Sequence, residues 1–301
     1  MRLIAALLAA FCTLGGEQYT LLQSWSVAGG GPGQLRGAHG IAVNRNGDVI
    51  VTDSRTSRVI QCTPDGKFLC EIGDGPGSGP GQFRSPRDAA VNPVDGKIYV
   101  ADGANFRIEV FDPEGKFLRE FGTKGSASGQ FLRPHALDFD PIGRLFIADV
   151  DNSRIAVYDE KGSFVAHWGK AGSGPGDFHA PHGLGVDRRG DVIISNYYGP
   201  VQKFTPQGKL LLEFGAFTAE NNLLSYHSMC VDREGNIYIT TRDKERRSSI
   251  TKYDNNGKFL TQWYMPQPRQ LVEDVAVDSI GRVFVTYQSR QDTGVYVFEK
   301  K

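Results

Sequence analysis

Four of the six histidines in this chain recur at a nearly constant interval, which makes them candidates for shared chemistry. The complete series consists of His39, Arg87, His135, His182, His227 and Glu273. Its steps are 48, 48, 47, 45 and 46 residues. Imidazole nitrogens are common zinc ligands, and three of them around a zinc with one open position make a catalytic arrangement. Such a zinc can polarise a carbonyl group or activate a bound water or hydroxyl.

The residues of the series lie in six versions of one short segment, for which Pro181-His182-Gly183-Leu184 is representative. A period of this size indicates a repeat architecture. Within the second repeat, residues 88–92, 97–102, 107–111 and 116–121 alternate polar and apolar side chains and are separated by Asp, Pro and Gly turns. This pattern predicts four β-strands per repeat. No later segment predicts an amphipathic helix.

Six repeats of four antiparallel strands specify an all-β fold, a six-bladed β-propeller. The last repeat ends after its third strand, and residues 19–25 resemble the missing fourth strand. We therefore expect the N-terminal strand to join the last blade and close the ring, with the propeller occupying residues 17–301. Pairing of this kind also protects an exposed sheet edge.

In such a propeller the first strand of each blade lines the axial channel, so the six residues of the series surround one channel mouth. Alternate blades are about 120° apart in a six-bladed ring, and His39, His135 and His227 could converge on one metal. His182 would be a fourth ligand or an acid–base group, and Glu273 could orient an imidazole. The connections between second and third strands reach the same face. They add four residues to the expected ligand-binding face: Asn196, Tyr197, Arg242 and Tyr287.

Two further patterns predict structural roles. An Asp after the second strand is followed by an Arg that opens the third, and we expect each pair to brace its loop. The pairs are Asp53 with Arg58, Asp102 with Arg107, and Asp149 with Arg154. The glycine-rich segments, such as residues 29–33 and 172–176, are interpreted as linkers between blades, because no helix start follows them as a phosphate-binding loop requires.

The second repeat is similar to the NHL repeat. The resemblance rests on residues 98–102, Asn105, residues 107–108 and 112–117, and on the Gly-Pro-Gly-Gln-Phe segment at 79–83. It covers nearly all of residues 19–301 and implies a toroidal six-bladed propeller. It implies little about chemistry, because one fold hosts many functions.

Two segments also resemble the Pro-His segments of peptidyl-α-hydroxyglycine α-amidating lyases. They are residues 134–137 and 181–184, so that only His135 and His182 match the motif. That family consists of six-bladed propellers that hold a zinc through histidines on inner strands. The remaining zinc ligand and the catalytic Tyr and Arg of that family have no unique counterparts here. Arg87, Tyr197 and Glu273 are the catalytic candidates.

Two functions follow as alternatives. In the first, an exported propeller binds a small molecule, peptide or protein through the channel-mouth face, and the histidines only line a water-filled channel. In the second, the protein is a zinc-dependent lyase with axial histidines as ligands. Lactonases rank lower, because propeller enzymes of that kind use carboxylate-rich metal sites. RNA binding, known for other NHL propellers, is disfavoured by a formal net charge of zero.

The termini and cysteines add expectations about the cellular context. Residues 1–16 carry one positive charge and then an apolar run, which is typical of a secretory signal peptide and too short to span a bilayer. We expect a secreted or periplasmic monomer without a membrane span. Cys62 and Cys70 flank a turn and could form a disulfide if the strand register allows it. The basic residues Lys244, Arg246 and Arg247 are interpreted as a solvated loop.

Overall fold

The protein folds into six antiparallel β-sheets arranged in a ring, as seen in a computed structural model. The structure describes residues 14–26, 29, 33–197, 199–215, 225–267, 269–289 and 292–301. Residues 1–13 of the expected signal peptide lie outside these ranges. Among the described residues, no helix is long and apolar enough to cross a membrane.

Two strands, β1 (Leu14–Gly15) and β2 (Tyr19–Ser26), precede the first blade. Blade 1 consists of β3 (Ala38–Val43), β4 (Val49–Asp53), β5 (Arg58–Cys62) and β6 (Phe68–Ile72). Blade 2 consists of β7 (Pro86–Val91), β8 (Ile98–Asp102), β9 (Arg107–Phe111) and β10 (Phe117–Phe121). Blade 3 consists of β11 (Pro134–Phe139), β12 (Leu145–Asp149), β13 (Arg154–Tyr158) and β14 (Phe164–Trp168). Short 3₁₀ helices at Gly103–Asn105 and Val150–Asn152 join the second and third strands of blades 2 and 3.

The other three blades repeat this arrangement. Blade 4 consists of β15 (Pro181–Val186), β16 (Val192–Asn196), β17 (Val201–Phe204) and β18 (Leu210–Phe214). Blade 5 consists of β19 (Ser225–Val231), β20 (Ile237–Arg242), β21 (Ser248–Tyr253) and β22 (Phe259–Tyr264), and β1 pairs with its β22. Blade 6 consists of β23 (Leu271–Val277), β24 (Val283–Gln288), β25 (Thr293–Lys300) and the N-terminal β2 in the order β2-β25-β24-β23. The all-β, six-bladed prediction is confirmed.

The first strands form the innermost ring. Each of β3, β7, β11, β15, β19 and β23 contacts the first strand of the next blade, and β23 contacts β3. The second and third strands are covered on both faces by neighbouring blades, so β8, β9, β12 and β13 are buried along their whole length. The fourth strands of blades 2, 3 and 4 are outermost and alternate between exposed and half-buried residues, whereas β1 covers the outer edge of β22 in blade 5. The hydrophobic core therefore lies between blades, where for example Tyr99 packs edge-on against Phe139.

The glycine-rich linkers anchor one blade to the next. Phe83, Phe131 and Phe178, the aromatic residues of these segments, are fully buried. The linker before Phe83 turns sharply at Gly73, where φ is +73° and an added Cβ would lie 2.5 Å from the Gly81 carbonyl oxygen. Only glycine fits this turn without a shift of the backbone.

The Asp–Arg prediction is confirmed in two blades. Arg107 Nε lies 3.0 Å from Asp102 Oδ2, and Arg154 Nε lies 3.3 Å from Asp149 Oδ2. In blade 1 the pair is replaced, because Arg58 contacts Glu71 on the neighbouring β6 at 3.2 Å.

The cysteines of blade 1 are free. Cys70 lies opposite Gln61 in the β5–β6 ladder, whereas Cys62 lies opposite Phe68. Consecutive residues of a strand point to opposite faces, so this register places the two thiols on different sides of the sheet.

Candidate functional site

The residues of the histidine series line one mouth of the axial channel and form a continuous row of contacts. The rings of His39 and His135 have centroids 5.3 Å apart, and those of His135 and His182 are 4.4 Å apart. Tyr197 continues the row, with its ring 5.3 Å from that of His182 and 5.4 Å from that of His227. The fold thus gathers all four histidines, but an aromatic ring separates the last from the other three.

Backbone carbonyls of neighbouring blades fix the orientation of two imidazoles. His39 Nδ1 lies 2.8 Å from the Arg87 carbonyl oxygen, and His135 Nδ1 lies 3.2 Å from the His182 carbonyl oxygen. A carbonyl oxygen only accepts hydrogen bonds, so each Nδ1 carries the proton. Each Nε2 is therefore left with its lone pair.

All four imidazoles are held neutral at physiological pH. Burial first and the Arg87 charge second lower the pKa of His39 to about 3. Burial, with the Arg133 charge, lowers the pKa of His182 to about 4, and burial, with the Arg242 charge, does the same for His227. The pKa of His135 is lowered well below its usual range by burial first and by His182 second. The histidines can accept a hydrogen bond or bind a metal, but they carry no positive charge.

Arg87 brings a positive charge to the mouth without a carboxylate partner. Its side chain lies over Gly103, and one guanidinium nitrogen is 3.5 Å from His39 Nε2. It forms no ion pair with any described residue. Its pKa is lowered by burial and then by the nearby Arg133 charge, while Glu273 opposes this effect. The guanidinium remains charged, since the ordinary pKa of arginine is far above neutrality.

Glu273 is the acidic member of the series and is 8% exposed. It accepts a hydrogen bond from Gln288 Nε2, and its other oxygen lies 3.9 Å from His227 Nδ1. Burial raises the pKa of this carboxyl to about 7, whereas the bond from Gln288 and the charges of Arg87 and Arg242 act in the opposite direction.

Below the mouth, carboxyl groups narrow the channel. Asp88 and Asp274 follow Arg87 and Glu273 in the sequence and are hydrogen-bonded to each other. A cavity of about 10 Å³ separates these carboxyls from the imidazoles of His39 and His135. A larger cavity of about 160 Å³ lies between the first strands; most of its lining residues are apolar, and Asp88, Asp138 and Asp274 are the acidic ones.

The zinc site expected from the histidines is not formed by the side chains as they stand. Among the residues that the structure describes, no group of three His, Cys, Asp or Glu could hold a metal ion. The physical reason is visible at both ends of the row. The cationic Arg87 faces His39 Nε2, and Tyr197 stands between His182 and His227. The metal-binding role of His39, His135, His182 and His227 stays a prediction.

Of the other expected site residues, two lie near the histidines and two are buried against other partners. Tyr197 lies in the histidine row, and the Arg242 charge acts on His227 and Glu273. Asn196 is buried, and its amide oxygen accepts a hydrogen bond from the His179 backbone N–H at 3.0 Å. Tyr287 is buried and stacks on Tyr296, with ring centroids 4.3 Å apart.

Two neighbours of the site escaped the sequence analysis. Arg133 acts on His135 and His182, and Gln288 holds Glu273. Arg133 lies two residues before the series position His135, so the repeat period alone does not identify it. Its position immediately before the Pro134-His135 segment is the signal that could have identified it.

Two known protein families match parts of the chain. The NHL repeat family matches residues 35–62 and 83–111, and a family described as 6-bladed beta-propeller matches residues 137–263. The chain is a six-bladed β-propeller, and its first two blades contain the segments that match the NHL repeat. Peptidylglycine alpha-amidating monooxygenase of Rattus norvegicus is 37% identical to this propeller over 112 residues, which are 34% of this chain and 12% of that protein. The match thus spans about an eighth of the relative's length.

Solved structures resemble the propeller as a fold. The structure titled Streptogramin B lyase has a TM-score of 0.66 at 12% identity and covers 94% of this chain and 98% of its own. A gluconolactonase from Xanthomonas campestris has a TM-score of 0.66 at 13% identity and covers 99% of both chains. At these identities the likeness concerns the architecture only.

Proposed function

We propose that the channel mouth is the functional site of this propeller and that it binds a small molecule or peptide end carrying a carboxylate. The observation that carries the proposal is the Arg87 guanidinium, which is partly buried and has no carboxylate partner among the described residues. A buried charge without a partner is costly, and a ligand carboxylate would offset that cost. The guanidinium fork also fits a carboxylate through two parallel hydrogen bonds.

The surroundings of Arg87 support an anionic ligand. Arg242 forms no ion pair with a described residue, and its charge reaches the mouth beside His227. The neutral imidazoles of His39 and His135 could accept a hydrogen bond from an N–H or O–H group that the ligand carries beside its carboxylate. The cavity of about 10 Å³ has room for one water molecule at most, so little of the ligand can enter between the strands. The rest of the ligand would lie on the mouth face, beside Tyr197.

The proposal is tested by titrating the protein with N-acyl amino acids and with their neutral amides, followed by NMR or calorimetry. We expect saturable binding of carboxylates at millimolar or lower concentration and at least tenfold weaker binding of the amides. Arg87→Gln should weaken carboxylate binding at least tenfold. Arg45→Gln, which changes an exposed arginine on the opposite face, is the matched control and should have no effect. Equal binding of acids and amides, or no binding of either, would overturn the proposal.

Export is also proposed, because the apolar run in residues 1–16 has the composition of a signal peptide. N-terminal sequencing of the protein recovered from the cell exterior or periplasm tests this. A full-length chain found only in the cytosol would contradict it.

A zinc-dependent lyase is the second candidate function, and a specific observation favours it. Histidines that bind zinc normally donate the other ring N–H to a carboxylate or carbonyl, and His39 and His135 do so. The similarity to alpha-amidating monooxygenase supports the same candidate. The placement of the described side chains does not complete the site, because Arg87 and Tyr197 stand where the ligands would have to converge. A bound zinc would supply Lewis-acid chemistry.

Elemental analysis distinguishes the two functions. The lyase requires near one zinc per chain after purification without a metal-affinity column, and loss of the zinc on His135→Ala. Less than about a tenth of an equivalent excludes this candidate and leaves carboxylate binding in place.

A further inference from the structure

Four exposed arginines form an arc on the mouth face over three consecutive blades. Arg269 precedes the first strand of blade 6, Arg36 and Arg55 belong to blade 1, and Arg84 precedes the first strand of blade 2. Because β23 contacts β3 and β3 contacts β7, these blades are neighbours in the ring. We refer to these four residues as the arginine arc.

Buried carboxylates hold the backbone at three of the four residues of the arc. Asp53 accepts hydrogen bonds from the backbone N–H groups of Arg36 and Arg55, and Asp102 accepts one from that of Arg84 at 2.7 Å. Both carboxylates are fully buried, and Asp102 also accepts hydrogen bonds from Asn105 Nδ2 and Arg107 Nε. The arrangement fixes the loops in place and leaves the guanidinium groups to project from the surface.

The arc is a positively charged surface on a protein of zero net charge. None of its four arginines forms an ion pair with a described residue. On the opposite face, the turns of blades 1 and 2 carry both signs, as at Asp65 with Lys67 and at Glu114 with Lys116. The arc therefore places four positive charges without ion-pair partners among the described residues on one side of the channel mouth.

We propose that the arginine arc binds the acidic side chains of a peptide whose carboxylate occupies the channel mouth. The second part of this statement rests on the proposed function. Arginine is suited to this task because its planar fork binds carboxylates through paired hydrogen bonds. A peptide that follows the arc would present successive carboxylates to blades 6, 1 and 2. Charges of opposite sign would also accelerate its association with the protein.

A single-stranded nucleic acid fits this surface less well. Proteins that bind single strands combine a basic groove with aromatic side chains on which bases stack. Among the described residues, no exposed large hydrophobic or aromatic side chain lies on the loops that carry the arc. The described part of this surface offers positive charge and planar guanidinium groups but no exposed aromatic side chain on which a base could stack.

Fluorescence anisotropy with labelled peptides tests the proposal. The probe is an octapeptide with four glutamates, and its counterpart has glutamine at the same positions. We expect the acidic peptide to bind at least tenfold more tightly, with an affinity that falls as salt is raised. The triple variant Arg36→Glu, Arg84→Glu, Arg269→Glu should reduce this affinity at least tenfold.

The control is a triple charge reversal on the opposite face, Arg45→Glu, Arg188→Glu, Arg233→Glu. These arginines are also exposed and form no ion pair with a described residue, so the two variants match in charge and in broken contacts. Affinity of the control should stay within twofold of the wild type. Should the arc variant fail to fold, the single change Arg84→Glu replaces it.

Three outcomes would overturn the arc proposal: equal binding of both peptides, equal weakening by both triple variants, or tighter binding of an oligothymidylate than of the acidic peptide. The single-carboxylate probe separates this result from the proposed function. An arc variant that still binds the small carboxylate but loses the peptide supports the arc. An Arg87→Gln variant that keeps the small carboxylate contradicts the mouth site alone.

Discussion

At the scale of single residues, the mouth depends on imidazoles that stay neutral next to arginine. Burial and the charges of Arg87, Arg133 and Arg242 all disfavour the imidazolium. The site therefore combines fixed positive charge from arginine with uncharged acceptors from histidine. A site of this kind can bind an anion without any of its histidines taking up a proton.

These histidines should make the protein sensitive to acid. A histidine with a folded-state pKa of about 4 and an unfolded pKa near 6.5 lowers stability as pH falls through that window, because the unfolded chain binds the proton first. We expect His182→Gln to lose less unfolding free energy than the wild type between pH 7.5 and 4.5, by about 1–3 kcal/mol. Denaturant unfolding at the two pH values measures this difference.

His167→Gln is the control, because His167 is exposed on the outer strand β14. It should follow the wild type at both pH values. A His182→Gln variant with the same acid sensitivity as the wild type would contradict the burial argument.

At the scale of elements, the short helix Gly103–Asn105 positions Arg87. A Cβ at residue 103 would lie 2.8 Å from Arg87 Cγ and 3.3 Å from the Ser85 carbonyl oxygen, so the arginine side chain would have to move. We expect Gly103→Ala to weaken binding of a small carboxylate roughly five- to tenfold, about 1 kcal/mol. Unfolding free energy should change by less than about 1 kcal/mol, since the displaced side chain is at the channel mouth.

The matching substitution in blade 1 is Gly37→Ala, which would press on the Cγ of Arg55 at 2.6 Å. It moves an arginine of the arc and leaves Arg87 in place, so binding of the small carboxylate should be unchanged. If both glycine variants weaken binding equally, the effect would be general and not due to Arg87.

Periodicity predicted the strands and the mouth, because each depends on the order of residue types along the chain. The steps between His39 and Glu273 were enough to place six side chains around one channel. Periodicity could not predict which ring faces which, because rotamers depend on local packing. Local packing places Tyr197 between two histidines and pairs Arg58 with Glu71, and the repeat pattern indicates neither contact.

At the scale of the whole molecule, aspartates in the channel link neighbouring blades. Asp274 accepts the Ile41 N–H at 2.8 Å, Asp88 accepts the Leu137 N–H at 3.1 Å, and Asp138 accepts the Val186 N–H at 2.9 Å. Burial raises the pKa of Asp138 to about 7 and that of Asp274 to about 6. The inner ring is therefore held partly by carboxyls that titrate as the pH rises towards neutrality.

These carboxyls should change the free energy of unfolding with pH in the direction opposite to that of the histidines. A carboxyl whose folded-state pKa is raised contributes stability that is fully present below pH 4 and lost as pH rises through the folded pKa. Replacing Asp138 with Asn removes this loss. We expect Asp138→Asn to be more stable, relative to the wild type, at pH 8 than at pH 5. Chemical unfolding at both values checks this, and a difference that does not vary with pH would contradict it.

The buried polar residues that end the second strands of blades 1 to 4 have a consequence for how new specificities could arise. Asp53, Asp102, Asp149 and Asn196 each bond to backbone N–H groups just before the first strand of the same blade. The side chain at the series position is thus not needed to keep its loop in shape. The side chain at the series position can therefore be substituted in one blade independently of the others. Duplicated blades provide several such positions around one axis. A few substitutions among His, Arg and Glu could retune the ligand while the scaffold remains the same.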